Sequence, residues 1–379
     1  IMEVNKIITD YMNQNKYFKD EIFENGLVNV IKRDYEKNKS YDYQEIHPIW
    51  TGLKVTGKCN FKCSHCWANL HKDERSLEDL KLAVNKFQEI GIKHITISGG
   101  EPFLRSDLIE LVEYIKTKGF HLSIFTNASL ITYADILKLE KILDDIDVIQ
   151  VSLDGSTASI FKAQRNTDLF QRVIKNIELL GKSCITIRIN MVASIFNVND
   201  VVNVYSLCEK YNVDTFSISY VYDLNKGEKI YDDSHVQAFV LEIAKCIVLS
   251  RNYKTKFKPF IPLQFYSNGA LSEKQQKETD FWNYDLLLYR FTNDKGDMYP
   301  EVSLEFDALK IGNIYENTSQ ELLNKSIEIG NKLKVRNLVN TECKFCDKIE
   351  ICRGGDMGRT YRLLGDINKK DPYCQKRWR

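Results

Sequence analysis

The chain has almost no net charge: 53 Lys and Arg against 52 Asp and Glu leave +1 over 379 residues. No field of one sign covers the surface, so nothing in the charge balance selects nucleic acid or an anionic membrane. Long apolar runs are missing too, and no stretch reaches the roughly 20 residues of a membrane span. Ile1–Asp10 lacks the basic start, apolar middle and cleavage site of a secretory signal, and a cytoplasmic location is expected. Histidine is scarce, six in all, and only His65 falls within a motif. Proton relay or ligation by histidine elsewhere has no support. Cysteine is plentiful by contrast, at ten. Without a signal, that points to a reducing compartment and metal ligation, not disulfides. The length suffices for one large domain or two moderate ones with real cores.

The cysteines are not scattered. Cys59, Cys63 and Cys66 follow the apolar run Thr51–Val55 at spacing C-x3-C-x2-C. Three thiolates are one short of a tetrahedral metal set or a four-iron cluster, which leaves a coordination position open. A zinc loop or buried structural thiols are the alternatives. Cys343, Cys346 and Cys352 form a second group, followed by Cys374. Four thiolates can close a metal site, and a zinc ribbon is the simplest form. Cys184, Cys208 and Cys246 stand alone in apolar surroundings and read as inert buried thiols.

Between about Leu53 and Tyr220 the pattern alternates. Strands are expected at Leu53–Thr56, His94–Ser98, Leu122–Thr126, Val148–Leu153, Thr186–Val192 and Thr215–Tyr220. Helices are expected at Ser76–Ile90, Ser106–Lys118, Thr132–Leu143, Leu169–Leu180 and Val198–Tyr211, with Ser76 and Ser106 as N-caps and Gly91 and Gly119 just past two helix ends. This argues for a parallel sheet with right-handed crossovers, too short for a closed eightfold barrel: an α/β fold with a partial (β/α)6 TIM-like barrel. Active residues then gather at the strand C-terminal ends. The expected organisation is a helical segment 1–48, the barrel 49–222, an insertion 223–285 that breaks the alternation apart from a helix at Ser234–Ser250, and a cysteine-bearing region 286–379. The first segment reads as a helical cap over the barrel; a leader-peptide grip is the alternative.

Ile95-Thr96-Ile97-Ser98-Gly99-Gly100-Glu101-Pro102 follows the first helix. Together with the first cysteine trio it resembles the radical S-adenosylmethionine (radical SAM) superfamily. The resemblance implies a [4Fe–4S] cluster on Cys59, Cys63 and Cys66, with SAM on the open iron. Gly99, Gly100, Glu101 and Pro102 would then line the SAM amino group, His65 would meet the adenine through its backbone, and Trp67 would lie beside it. Ser152 and Arg165, from the stretch Ser152-Leu153-Asp154-Gly155 and the Arg165 that follows it, match residues that hold the SAM carboxylate, a task suited to an arginine fork. Asn127 and Asn190 are further candidates at strand ends; backbone satisfaction is the plainer role for Asn127, and for Asp154 and Arg165 a turn cap and a surface ion pair.

The second group, with Lys310-Ile311-Gly312-Asn313-Ile314 upstream, resembles the SPASM/twitch extension. That extension ordinarily has seven cysteines and two auxiliary clusters. Here Glu301 and Asp356 stand where two of them are expected, and no cysteine occurs between Cys246 and Cys343. One auxiliary [4Fe–4S] cluster on Cys343, Cys346, Cys352 and Cys374 is implied. The implied chemistry is reductive cleavage of SAM to a 5′-deoxyadenosyl radical, which abstracts hydrogen from a ribosomal precursor peptide to give a crosslink, thioether or epimer. The implied partners are that peptide and an electron donor such as flavodoxin or ferredoxin. A small-molecule dehydrogenase, a tetrapyrrole-modifying enzyme, and a non-catalytic iron–sulfur or zinc module are the other readings. Asp223 and Glu301 are the candidates for acid–base work.

Overall fold

The computed structural model describes residues 4, 6–8, 10, 50–66, 68, 70–221, 233–259, 291–334, 336–346, 349–352, 354–372 and 374. Six strands fall where the sequence places them: β1 Trp50–Thr56, β2 His94–Gly99, β3 His121–Thr126, β4 Val148–Ser152, β5 Thr186–Ala193 and β6 Thr215–Tyr220. All pair in parallel in chain order. The reason is visible across the register. Leu53, Ile97, Ile124, Ile149 and Ile187 form one continuous apolar row on one face. The opposite face carries Gln150 beside Arg188 and Ser152 beside Asn190. β5 shows the consequence, with Ile187, Ile189, Met191 and Ala193 buried and the residues between them only half-buried. One face belongs to the apolar core and the other is the more polar face.

The crossover helices are α1 Leu77–Ile90, α2 Leu108–Thr117, α3 Tyr133–Ile142, α4 Ala158–Arg165, α5 Phe170–Leu180 and α6 Val201–Lys210. Ser76 caps α1 as expected: Ser76 Oγ accepts from Asp79 N while the Asp79 carboxylate accepts from Ser76 N, a reciprocal box. Gly91 (φ 93) ends α1 in the left-handed region. Ser106 does not cap α2. Asp107 precedes the helix, and its carboxylate is taken by Arg105, whose Nε and Nη2 each donate at 2.8 Å. α4 is an element that the sequence reading passes over. It is eight residues long, capped by Thr157 Oγ1, and it carries Arg165.

The alternation does not stop at residue 222. α7 (Asp233–Leu249) packs on α6, and β7 (Lys256–Pro259) pairs in parallel with β6. The stretch expected to break the pattern therefore adds a seventh parallel strand. On the far edge, β8 (Phe291–Thr292) pairs in parallel with β1, then β9 (Asp297–Tyr299) and β10 (Gly312–Asn313) follow antiparallel. Among the described residues the sheet order is β10-β9-β8-β1-β2-β3-β4-β5-β6-β7. α8 (Ser319–Lys334) lies against α1 and β10, and α9 (Met357–Leu364) against the Val302–Leu304 turn. Residues 4, 6–8 and 10 are helical where described, and Ile8 is fully buried in the core. No helix among the described residues is long and apolar enough to cross a membrane.

Candidate active site

The cysteine loop leaves the C-terminal end of β1 and is held on three sides. Gly100 N donates to Thr56 O (2.9 Å) and Glu101 N to Lys58 O (2.8 Å), which ties the loop to the end of β2. A side chain at Gly100 would put its first carbon 2.0 Å from Lys58 O and 3.0 Å from Cys59 Cβ, so only glycine lets these backbones meet. Asn60 Nδ2 donates to Ser129 Oγ and Asn60 Oδ1 accepts from Asn127 Nδ2, both at 2.9 Å, tying the loop to the end of β3. Ser64 N and Oγ both reach Gln164 O on α4 (2.9 and 3.0 Å). Phe61 meets Phe161 of α4 edge to face at 6.3 Å, which adds about 1 kcal/mol.

Cys59, Cys63 and Cys66 are mutual neighbours and half-buried. Burial pushes the Cys59 thiol up to about 11, against the opposing pull of the Phe61 N–H aimed at its sulfur (3.4 Å). Burial raises Cys63 too, opposed by Arg165. Such thiols become thiolates only beside a cation that rewards the charge, as a metal does. Among the described residues no three His, Cys, Asp or Glu side chains converge on a single ion.

A charged cluster faces the loop. Asp154, fully buried past β4, accepts from Val192 N (2.8 Å) and meets Arg165 Nε at 2.5 Å. The contact is an ion pair without hydrogen-bond alignment. Arg165 Nη1 reaches toward Cys63 Sγ at 3.7 Å. Burial works against its charge, yet Asp154 and Cys63 hold it above its usual value. His65 Nε2 lies 3.5 Å from Asp154 Oδ2, and its Nδ1 is buried with no partner. Burial drives the imidazole down to about 4, despite Asp154. Glu101 is fully buried, and its carboxylate accepts from Thr126 Oγ1 (2.6 Å), Asn127 N (2.7 Å) and Phe103 N (3.1 Å). Burial still dominates and lifts it to about 7. A cationic amine beside it would restore the charge.

The structure thus brings Cys59, Cys63, Cys66, His65, Gly99, Gly100, Glu101, Pro102, Asn127 and Arg165 to one end of the sheet. Arg165 is buried, not a surface ion pair, and Asp154 is a buried partner as well as a turn residue. Asn127 has its amide used within the protein: its Oδ1 accepts from Ser129 N and Oγ, so it braces the loop. The neighbouring Ala128 is left-handed (φ 58), with its carbonyl held by Asn176. Ser152 and Asn190 are register partners, and Asn190 Oδ1 accepts from Ser217 Oγ. Trp67 and Asp223 lie outside the described residues. Glu301 opens the Val302–Leu304 turn, which packs against α9. Asn60, Gln164 and Asp154 are the bracing residues that motif reading undervalued. Gln164 is buried beside Phe161 and Arg165 on one face of α4.

The second cysteine group sits under α9. Cys346 N donates to Cys343 O, and the charge neighbours of Cys352 include Cys374 and Cys343. Burial first, then Cys374 and Asp371, pushes Cys352 up to about 12. Asp371 anchors the group. It is fully buried against Arg359 (2.6 Å), takes Asp356 N on its carboxylate and receives Cys374 N on its carbonyl. Asp356 caps α9, its Oδ1 accepting from Arg359 N at 2.7 Å, as an incidental replacement would.

Residues 53–208 match the Radical SAM superfamily profile. The chain is 23% identical to an AdoMet-dependent heme synthase of Nitratidesulfovibrio vulgaris, over 85% of this chain and 90% of that one. It is 25% identical to the mycofactocin maturase MftC of Mycolicibacterium smegmatis, over 87% and 83%. Its fold resembles Streptococcus suis SuiB bound to S-adenosylmethionine, with TM-score 0.71 and 18% identity over 92% of this chain and 82% of SuiB. SuiB has also been solved with its precursor peptide SuiA.

Proposed function

We propose that this radical SAM enzyme, whose radical SAM domain spans residues 53–208, modifies a ribosomally made precursor peptide. The family implies a [4Fe–4S] cluster and SAM. Cys59, Cys63 and Cys66 are the residues that would hold the cluster, and the raised thiols on a braced loop fit that task. When bound, that pair supplies one-electron cleavage of the SAM S–C5′ bond and a carbon radical that removes hydrogen from substrate. The chain does the rest. Glu101, held by three donors, presents a buried carboxyl beside the loop that a cationic amine would hold in its charged form. Arg165, fixed by Asp154, presents a guanidinium edge suited to a carboxylate. The apolar bracing by Phe61 and Phe161 keeps water from behind the loop. Cys343, Cys346, Cys352 and Cys374 would hold an auxiliary cluster with no open iron, serving as electron relay or staple.

The observation that carries the peptide reading is the extent of the likeness to SuiB, a protein solved with a precursor peptide. It covers 92% of this chain, far beyond residues 53–208. The maturase similarity supports the same class. A tetrapyrrole side chain is the second reading, favoured by the heme synthase similarity. The test is anaerobic: reconstituted protein, SAM and dithionite should yield 5′-deoxyadenosine. Adding a short peptide encoded beside this chain should raise that yield and give a product lacking two hydrogens, or one with an inverted residue. Stimulation by an iron porphyrin in place of the peptide would refute the peptide reading.

A further inference from the structure

The cysteine loop is gripped from outside the barrel. β8 pairs Phe291 with Gly52 and Thr292 with Leu53, which carries the following residues to the C-terminal end of β1. There Asp294 contacts a lysine and an imidazole at once. Its Oδ1 lies 3.0 Å from Lys54 Nζ, both side chains almost fully buried, and its Oδ2 touches His71 Nε2. His71 lies at the exit of the cysteine loop, and its backbone N donates to Gly57 O at the loop's entrance (3.1 Å). Its ring fills the space left by the missing Gly57 side chain, where an added carbon would come within 2.7 Å of the imidazole. Four residues on, Arg75 Nη2 donates to Lys295 O (2.9 Å), and its guanidinium lies 4.6 Å over the Tyr315 ring. Entrance and exit are therefore closed on each other, and both are fastened to residues 294–315.

We propose that Asp294 is a positioning residue for the cysteine loop. Acting through His71, it locks the two ends of the Gly57–His71 loop together. Retention of iron by Cys59, Cys63 and Cys66 then depends on the C-terminal extension, by contact and without any electron passing between clusters. The iron clause rests on the cluster reading above. A carboxylate shared between a buried lysine and an imidazole is costly to place and serves no fold requirement that an apolar contact would not meet. Its position between two strands and a loop end is what gives it a use.

Two variants separate positioning from mere stability. Lys54→Met with Asp294→Leu replaces the buried pair by apolar volume, a change that often leaves a fold intact. His71→Ala removes the ring alone. Amide exchange of the apo chain is followed in both. Exchange over residues 57–75 should rise about tenfold, the scale set by one lost charged contact, while β3–β5 stay protected. In reconstituted protein, the electron paramagnetic signal that responds to SAM should decay correspondingly faster under a chelator. Unchanged exchange over 57–75 in both variants overturns the proposal. So does exchange that rises equally through β3–β5, since the contact would then be structural only. A wild-type chain that takes up no iron overturns the cluster reading alone, and the exchange result still decides the clamp.

Discussion

Gly100 shows how a single missing side chain sets the geometry of the site. The alanine carbon at this position would fall on Lys58 O, which is backbone and has no rotamer to give. Gly100→Ala should destabilise the apo chain by about 1–3 kcal/mol in urea titration, and should lower the iron bound at the first cysteine group. His94 gives a residue-scale prediction of another kind. It is buried at the start of β2 with Nε2 3.0 Å from Ser123 Oγ, and burial drives it from 6.5 down to about 3. The unfolded chain takes up this proton below about 6.5 and the folded chain resists until about 3. The stabilisation is therefore complete above 6.5 and lost as pH falls through that window. His94→Gln should flatten the acid side of the stability profile, measured as urea midpoint against pH. Neither residue's role could be read locally: the glycine motif signalled a close approach without saying to what, and nothing in sequence marks His94 as buried.

At the scale of elements, the six strands were legible because one face of each is apolar with period two, and the helices because their caps are chemical. Thr132 and Ser76 both make reciprocal boxes with an aspartate three residues on. Ser106 misled because Arg105 captures the neighbouring carboxylate, a contact that also reaches Val55 O and Arg75 O and so depends on the folded chain. α4 was missed because eight residues with Lys, Gln and Arg carry too short a period to register. The C-terminal knuckle yields a prediction here. Arg359 and Asp371 are a fully buried pair, and removing one charge strands the other at a cost of about 3–5 kcal/mol. Asp371→Asn should loosen Cys374, whose backbone N donates to Asp371 O, and should lower total iron by about half if two cubanes are present. The spectral response to SAM should persist, because that response is proposed for the Cys59, Cys63 and Cys66 group.

At the scale of the whole molecule, one sheet runs from the extension through the barrel, with β8 against β1 and β7 against β6. Its apolar row and the packed helices form a single core cluster that reaches Leu322 and Met357 in the extension. Denaturation of the apo chain followed by far-ultraviolet dichroism and by aromatic fluorescence should therefore give coincident curves. Two separated transitions would mean that the extension folds independently. By itself the sequence determined the parallel α/β layout, the cysteine trio and the Gly-Gly-Glu-Pro stretch, because these depend on residue type at short spacing. Only the tertiary structure decided that β7 and β8 extend the sheet at opposite edges, that Arg165 turns from Asp154 toward Cys63, and that Asp294 reaches Lys54 and His71. Those contacts join residues tens to hundreds of positions apart, and burial, not spacing along the chain, selects which charges meet.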